Sequence, residues 1–153
     1  MSQSVEKQSE PSPGGAVLLV DEDLEQLEWV GRVIQGIGYS VQACNSYTEG
    51  MRQLVSGAFD NVVVGQGSRD FEGRCVLESA SGFNRHLPVV VVARHLEMGC
   101  YLEAMQLGAV DYLAGPFAAT EVARVIRDWA PRRKDGIEAE RLTPGRIPEK
   151  LAA

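Results

Sequence analysis

The chain keeps returning to short aliphatic blocks that are too brief for a helix and have no polar face. Ala16–Val20 reads AVLLV, residues 61–64 read NVVV, and residues 87–93 read LPVVVVA. Continuous apolar runs of this length are expected of strands buried on both faces. Pro88 stands near the start of its run, where a missing N–H does least harm. Residues 109–114 (AVDYLA) make a further strand, and residues 39–44 (YSVQAC) alternate as a strand nearer a sheet edge does.

Between these blocks the period changes to that of a helix. Leu27, Val30, Ile34 and Ile37 recur at helical spacing, and Gly36 and Gly38 can end that helix. Ser46 followed by Glu49 reads as an N-cap with a capping box. Behind it, Tyr47, Met51, Leu54, Val55 and Ala58 make a second apolar stripe. A short helix is expected around residues 75–81. Met98, Tyr101, Leu102 and Met105 mark a helix stopped near Gly108, and Val122, Val125, Ile126 and Trp129 mark the last one. Strand and helix thus alternate five times. That order predicts a (βα)5 doubly wound α/β domain over residues 16–130, with a five-stranded parallel sheet covered on both faces. Ligands in such folds sit beyond the carboxyl ends of the strands, so Asp21-Glu22-Asp23, Gly65, Ala93-Arg94 and Gly115-Pro116 should be neighbours.

Composition and charge remove several functions. With 44% hydrophobic and 24% charged residues the composition is that of a globular domain. No apolar run reaches the length of a membrane helix and no signal-peptide core opens the chain, so the expected location is the cytoplasm, away from any membrane. Residues 16–130 hold eight arginines and no lysine against fifteen acids, a net charge of −7. A domain so acidic is a poor nucleic-acid binder. Cys44, Cys75 and Cys100 lack disulfide or zinc spacing and read as free thiols, and neither His86 nor His95 has a partner at metal-ligand spacing. Residues 1–15, rich in Ser, Pro, Gly and Glu, read as a disordered leader. Residues 131–153 read as the end of the last helix followed by a charged, disordered tail too short for a DNA-binding output domain.

Taken together, the acid-tipped VLLVDED, the FDNVVV some forty residues on, LPVVVVA and GAVDYLAGPF resemble the receiver domain of bacterial two-component response regulators. The resemblance covers residues 16–130 and implies the flavodoxin-like receiver fold. It also implies a place in phosphorelay signalling, with a histidine kinase, another response regulator or an output protein as partner, and a homodimer through the face of helices four and five. Receivers take a phosphoryl group onto an aspartate ending strand three. An acidic pair after strand one holds Mg²⁺, and a Thr or Ser and a Lys contact the phosphoryl group.

Asp21 and Glu22 match the acidic pair and Tyr112 the switch aromatic of strand five. Gly65 stands in place of the acceptor aspartate, Ala93 in place of Thr or Ser, and Gly115 in place of Lys. The resemblance is therefore to a degenerate receiver. Glycine offers no nucleophile, and no lysine in residues 16–130 supplies the cation that would neutralise phosphoryl charge. The expected function is a non-enzymatic signalling module acting by protein contact, independent of phosphorylation, that requires no cofactor. Asp21 and Glu22, with the Gly67 carbonyl, would bind Mg²⁺ weakly. Alternatively they form a solvated acidic cluster at a helix N-terminus.

Arg94 or Arg69 is expected to pair with these two acids as a fixed cation. Two rest positions are open for Tyr112: turned inward over Ala93, or exposed beside Tyr101. Two other functions stay in view. One is a phosphoacceptor at Asp70. The other is a small-ligand or nucleotide sensor in the vacated pocket, using the loop Gly65-Gln66-Gly67-Ser68 to cradle phosphate.

Overall fold

A computed structural model of the chain describes residues 14–129. The elements run β1 (Ala16–Val20), α1 (Leu24–Gly36), β2 (Ser40–Cys44), α2 (Tyr47–Ser56), β3 (Asn61–Gly65), α3 (Arg74–Phe83), β4 (Val89–Ala93), α4 (Met98–Gln106), β5 (Asp111–Ala114) and α5 (Ala119–Asp128). All strands are parallel, in the order β2-β1-β3-β4-β5. This is the expected doubly wound α/β sheet, with its topological switch between β1 and β3. β2 is an edge, as its alternating sequence suggested.

The two-residue period of each strand deals the aliphatic blocks to two cores. Leu18, Val20, Val62, Val64, Val91, Ala93 and Tyr112 pack on one face with side chains of α2, α3 and α4. Val17, Leu19, Val63, Val90, Val92 and Leu113 pack on the other with side chains of α1 and α5. A strand so used needs apolar residues at every position, which is why AVLLV and VVVV show no alternation.

Several boundaries and faces differ from expectation. β3 runs one residue further, through Gly65, and β5 begins only at Asp111. The buried side of α2 is Tyr47, Gly50 and Leu54, while Val55 and Ala58 face out. On α4 the buried residues are Cys100 and Ala104, while Met98 and Leu102 are exposed. In both helices a small residue lets the backbone lie close to the sheet, which turns larger neighbours outward. Ser46 caps α2 as expected, accepting from the Glu49 N–H, but the Glu49 carboxylate holds Arg52 and Gln53. Of the leader, residues 1–13 lie outside the described residues, whereas Gly14 and Gly15 are tied by backbone bonds to Gly38 and Ser40 and belong to the fold. Residues 130–153, with the expected tail, also lie outside.

Two buried strand positions break the apolar rule, Asp111 at the start of β5 and Asn61 at the start of β3. Asn61 is fully buried at the start of β3, and neither its Oδ1 nor its Nδ2 has a hydrogen-bond partner. A buried amide left unpaired costs about 1–3 kcal/mol. Asn61→Leu keeps the branched shape and removes both polar atoms. The expected outcome is a higher urea midpoint at unchanged slope, equivalent to about 1–3 kcal/mol.

Candidate functional site

The carboxyl ends of β1, β3 and β4 open onto a hollow of about 240 Å³. Register builds it. Val20 pairs with Val64, so the next residue of each strand, Asp21 and Gly65, stand side by side. Gly65 pairs with Val92, which sets Gln66 beside Ala93. Asp21, Glu22, Ala93, Arg94 and the Gly67-Ser68 turn all line the hollow, as do Tyr47 and Glu72. Tyr112, Tyr101 and Arg69 lie outside it, on the side of α4, and Asp70 is exposed and off its wall.

The place expected for the missing acceptor is not empty. A Cβ at Gly65 would lie 2.4 Å from the Asp21 carboxyl carbon. Asp21 has turned its carboxylate into that space, where it is 2% exposed. One oxygen accepts from Gln26 Nε2 at 2.6 Å and the other from the Asp23 N–H at 3.0 Å. Burial raises the Asp21 pKa above the ordinary carboxylate value, against the lowering effect of those two hydrogen bonds. Tyr47, reaching over from α2, donates its hydroxyl to the Gly65 carbonyl at 3.0 Å. Burial first, then the Asp21 and Glu22 carboxylates, pushes its phenol pKa well up, so Tyr47 remains a donor.

The lysine position is closed in a similar way. A Cβ at Gly115 would lie 2.5 Å from the Arg94 carbonyl oxygen, and the Gly115–Pro116 bond is cis. Arg94 itself does supply a fixed cation, but not to the acids expected. Its guanidinium pairs with Asp23 and, at 3.5 Å, with Glu25, because Asp23 is the N-cap of α1 and faces the end of β4. Arg69 lies 4.0 Å from Glu97, well away from Asp21. The arginine clamp therefore joins the β4 end to the start of α1 and leaves Asp21 to Gln26.

The glycine loop after β3 is satisfied from within. Glu72 accepts from the Ser68 N–H at 2.6 Å and from the Ser68 hydroxyl at 2.8 Å, and these bonds hold its carboxyl below the usual range. A carboxylate thus already occupies the amide that a bound phosphate would need. Gly67 has φ +88°, where a side chain is strained. Phe71, at φ +58°, anchors the loop by burying its ring. Gly73 lets α3 approach the strand end so closely that a Cβ there would stand 2.0 Å from the Gly65 carbonyl oxygen.

These residues do not fit Mg²⁺. Each Asp21 oxygen already accepts a hydrogen bond, Glu22 is exposed at the rim, and a third carboxylate is lacking at Gly65. Among the described residues no group of three metal-ligating side chains converges. Tyr112 takes the inward of its two expected positions. It is buried, and its hydroxyl donates to Gln66 Oε1 and accepts from the Glu97 N–H at 3.3 Å. It also meets Tyr101 edge-on at 5.4 Å between ring centroids. Sequence reasoning named Gln66 only within the glycine loop and Tyr47 only as part of an apolar stripe, and it passed over Gln26 and Glu72. The only signal for Gln66 was its place one residue past a buried strand.

The family model described as "Response regulator receiver domain" matches residues 17–127. Among characterised proteins, the chain is 27% identical over 100 residues to the transcriptional regulatory protein ZraR of Escherichia coli K12, covering 65% of this chain and 23% of ZraR. The chain thus spans under a quarter of that relative's length. A receiver domain from Clostridium thermocellum superposes with a TM-score of 0.69 at 22% identity, covering 83% of this chain and 97% of that one. The beryllofluoride-activated NtrC4 receiver domain dimer gives 0.68 at 18% identity, covering 75% and 95%. At these identities the structural likenesses speak for the fold.

Two outcomes follow from the crowding of Asp21 against Gly65. Gly65→Ala should destabilise the protein by about 1–3 kcal/mol, and most of that loss should disappear in an Asp21→Ala background, as a double-mutant cycle in urea would show. Because folding raises the Asp21 pKa, Asp21 favours the folded state when protonated, and that contribution is lost as pH rises through its folded pKa. Asp21→Asn should therefore raise Tm by about 2–4 °C at pH 7. That gain should shrink as pH falls to the ordinary carboxylate range, read by calorimetry across pH.

Proposed function

The chain belongs to the response regulator receiver domain family, a module of two-component signalling, and from this premise we propose that it signals by protein–protein contact without being phosphorylated. The observation that carries the proposal is the double closure of the acceptor site. The acceptor position has no nucleophile, and its space is filled by the Asp21 carboxylate. The lysine position has no cation, and its space is bounded by the Arg94 carbonyl. A phosphoryl group brought there would meet carboxylates with no lysine and no Mg²⁺ to offset them, and like charges at such range repel strongly.

The module is non-catalytic in this reading and acts in the cytoplasm. Among the described residues no helix is long and apolar enough to cross a membrane. Its partners are a histidine kinase, another response regulator or an output protein, with self-association as a further mode. Asp70 does not serve as acceptor because it stands exposed and off the wall of the hollow. Nucleotide sensing is disfavoured because Glu72 already holds the Ser68 amide.

The test is intact-mass spectrometry after incubation with acetyl phosphate and Mg²⁺. The expected spectrum has no added phosphoryl mass. A Mg²⁺-dependent increment that is absent in Asp70→Asn would overturn the proposal.

A further inference from the structure

The buried amide of Gln66 is the polar junction between the closed site and the α4 side of the domain. Its backbone N–H donates to the Val92 carbonyl at 2.8 Å, and its carbonyl accepts from the Gly73 N–H at 3.0 Å. Its side-chain Nε2 donates to the Ser68 carbonyl at 3.3 Å, and its Oε1 accepts from the Tyr112 hydroxyl. The residue is 3% exposed and its bond to Tyr112 is buried, where a missing partner is expensive.

Register explains how Gln66 and Tyr112 meet. Ala93 and Tyr112 share one face of the sheet, and Gln66, two residues beyond Val64, follows onto that face. β4 lies between the strands that carry them, and at that level it presents only the Ala93 methyl. A larger side chain there would stand between the Gln66 amide and the Tyr112 hydroxyl. The hydroxyl then accepts from the Glu97 N–H, and Glu97 is the N-cap of α4. α4 has no side-chain cap of its own, so Tyr112 supplies one of its orphan-donor contacts.

We infer that Gln66 is an internal latch: it holds Tyr112 inward and, through the Tyr112 hydroxyl, fixes the first turn of α4. This rests on the phosphorylation-independent reading and deepens it, since the latch replaces an incoming signal with a permanent hydrogen bond. The residues it positions include Leu96, Met98 and Leu102, the exposed apolar side chains at the start of α4.

The test is amide hydrogen exchange on the full chain, with no phosphodonor present, so its result is independent of whether the protein can be phosphorylated. Gln66→Met keeps the length of the side chain and removes the acceptor; Tyr112→Phe removes only the hydroxyl. In each, exchange at Glu97 and across residues 95–99 should rise about tenfold while β1 stays as protected as before, as local opening without global unfolding requires. The double variant should exchange no faster than either single one. Unchanged exchange at Glu97 in a folded Gln66→Met protein, or additive effects in the double variant, would overturn the latch. If Gln66→Met does not fold, Tyr112→Phe decides. The Gln66 side-chain amide protons, followed by NMR, should then exchange faster, and retention of their original rate would overturn the proposal.

Discussion

The carboxylate of Asp21 lies in the space that any side chain at Gly65 would need, and the rest of the site is arranged around that substitution. A buried carboxylate must find hydrogen-bond donors, and Gln26 and the Asp23 amide provide them. With Asp21 so engaged, Asp23, two residues on, caps α1 and meets Arg94, which ties the end of β4 to that helix. Glycine at residue 65 is therefore a steric requirement of the packed site.

Charge gives the hollow its character. Asp21, Glu22, Asp23 and Glu72 ring it, and the arginine at its edge is spent on Asp23 and Glu25. Glu72 sits on the Ser68 amide of the loop. The carboxylates of Asp21, Asp23 and Glu72 that line the hollow are thus already hydrogen-bonded or ion-paired within the domain. A line of hydrogen bonds continues across the sheet top through Gln66 and Tyr112 to the start of α4. The start of α4 is here joined to the loop beside the hollow by direct hydrogen bonds.

The sequence alone determined the architecture. Aliphatic blocks of strand length separated by helical stripes admit few arrangements other than a parallel sheet with helices on both sides, and five strands appeared where five were expected. It also determined the residue types at 65, 93 and 115, which carry neither nucleophile, hydroxyl nor cation. Pattern was weaker for helix faces. Met98 and Leu102 read as core because they are apolar, yet the small residues Cys100 and Ala104 take the sheet-facing side.

Only the tertiary structure decided how the vacated places are filled. Side chains from α1, α2, the end of β4 and the loops after β1 and β3 meet at the hollow, and their separations in sequence carry no trace of that meeting. Which acid Arg94 would choose depended on where α1 is capped. Which way Tyr112 would turn depended on an acceptor forty-six residues earlier, at Gln66. Local sequence fixes the period and capping of each element. The contacts between elements follow from strand register and crossover, and only the folded sheet brings those residues within hydrogen-bonding distance.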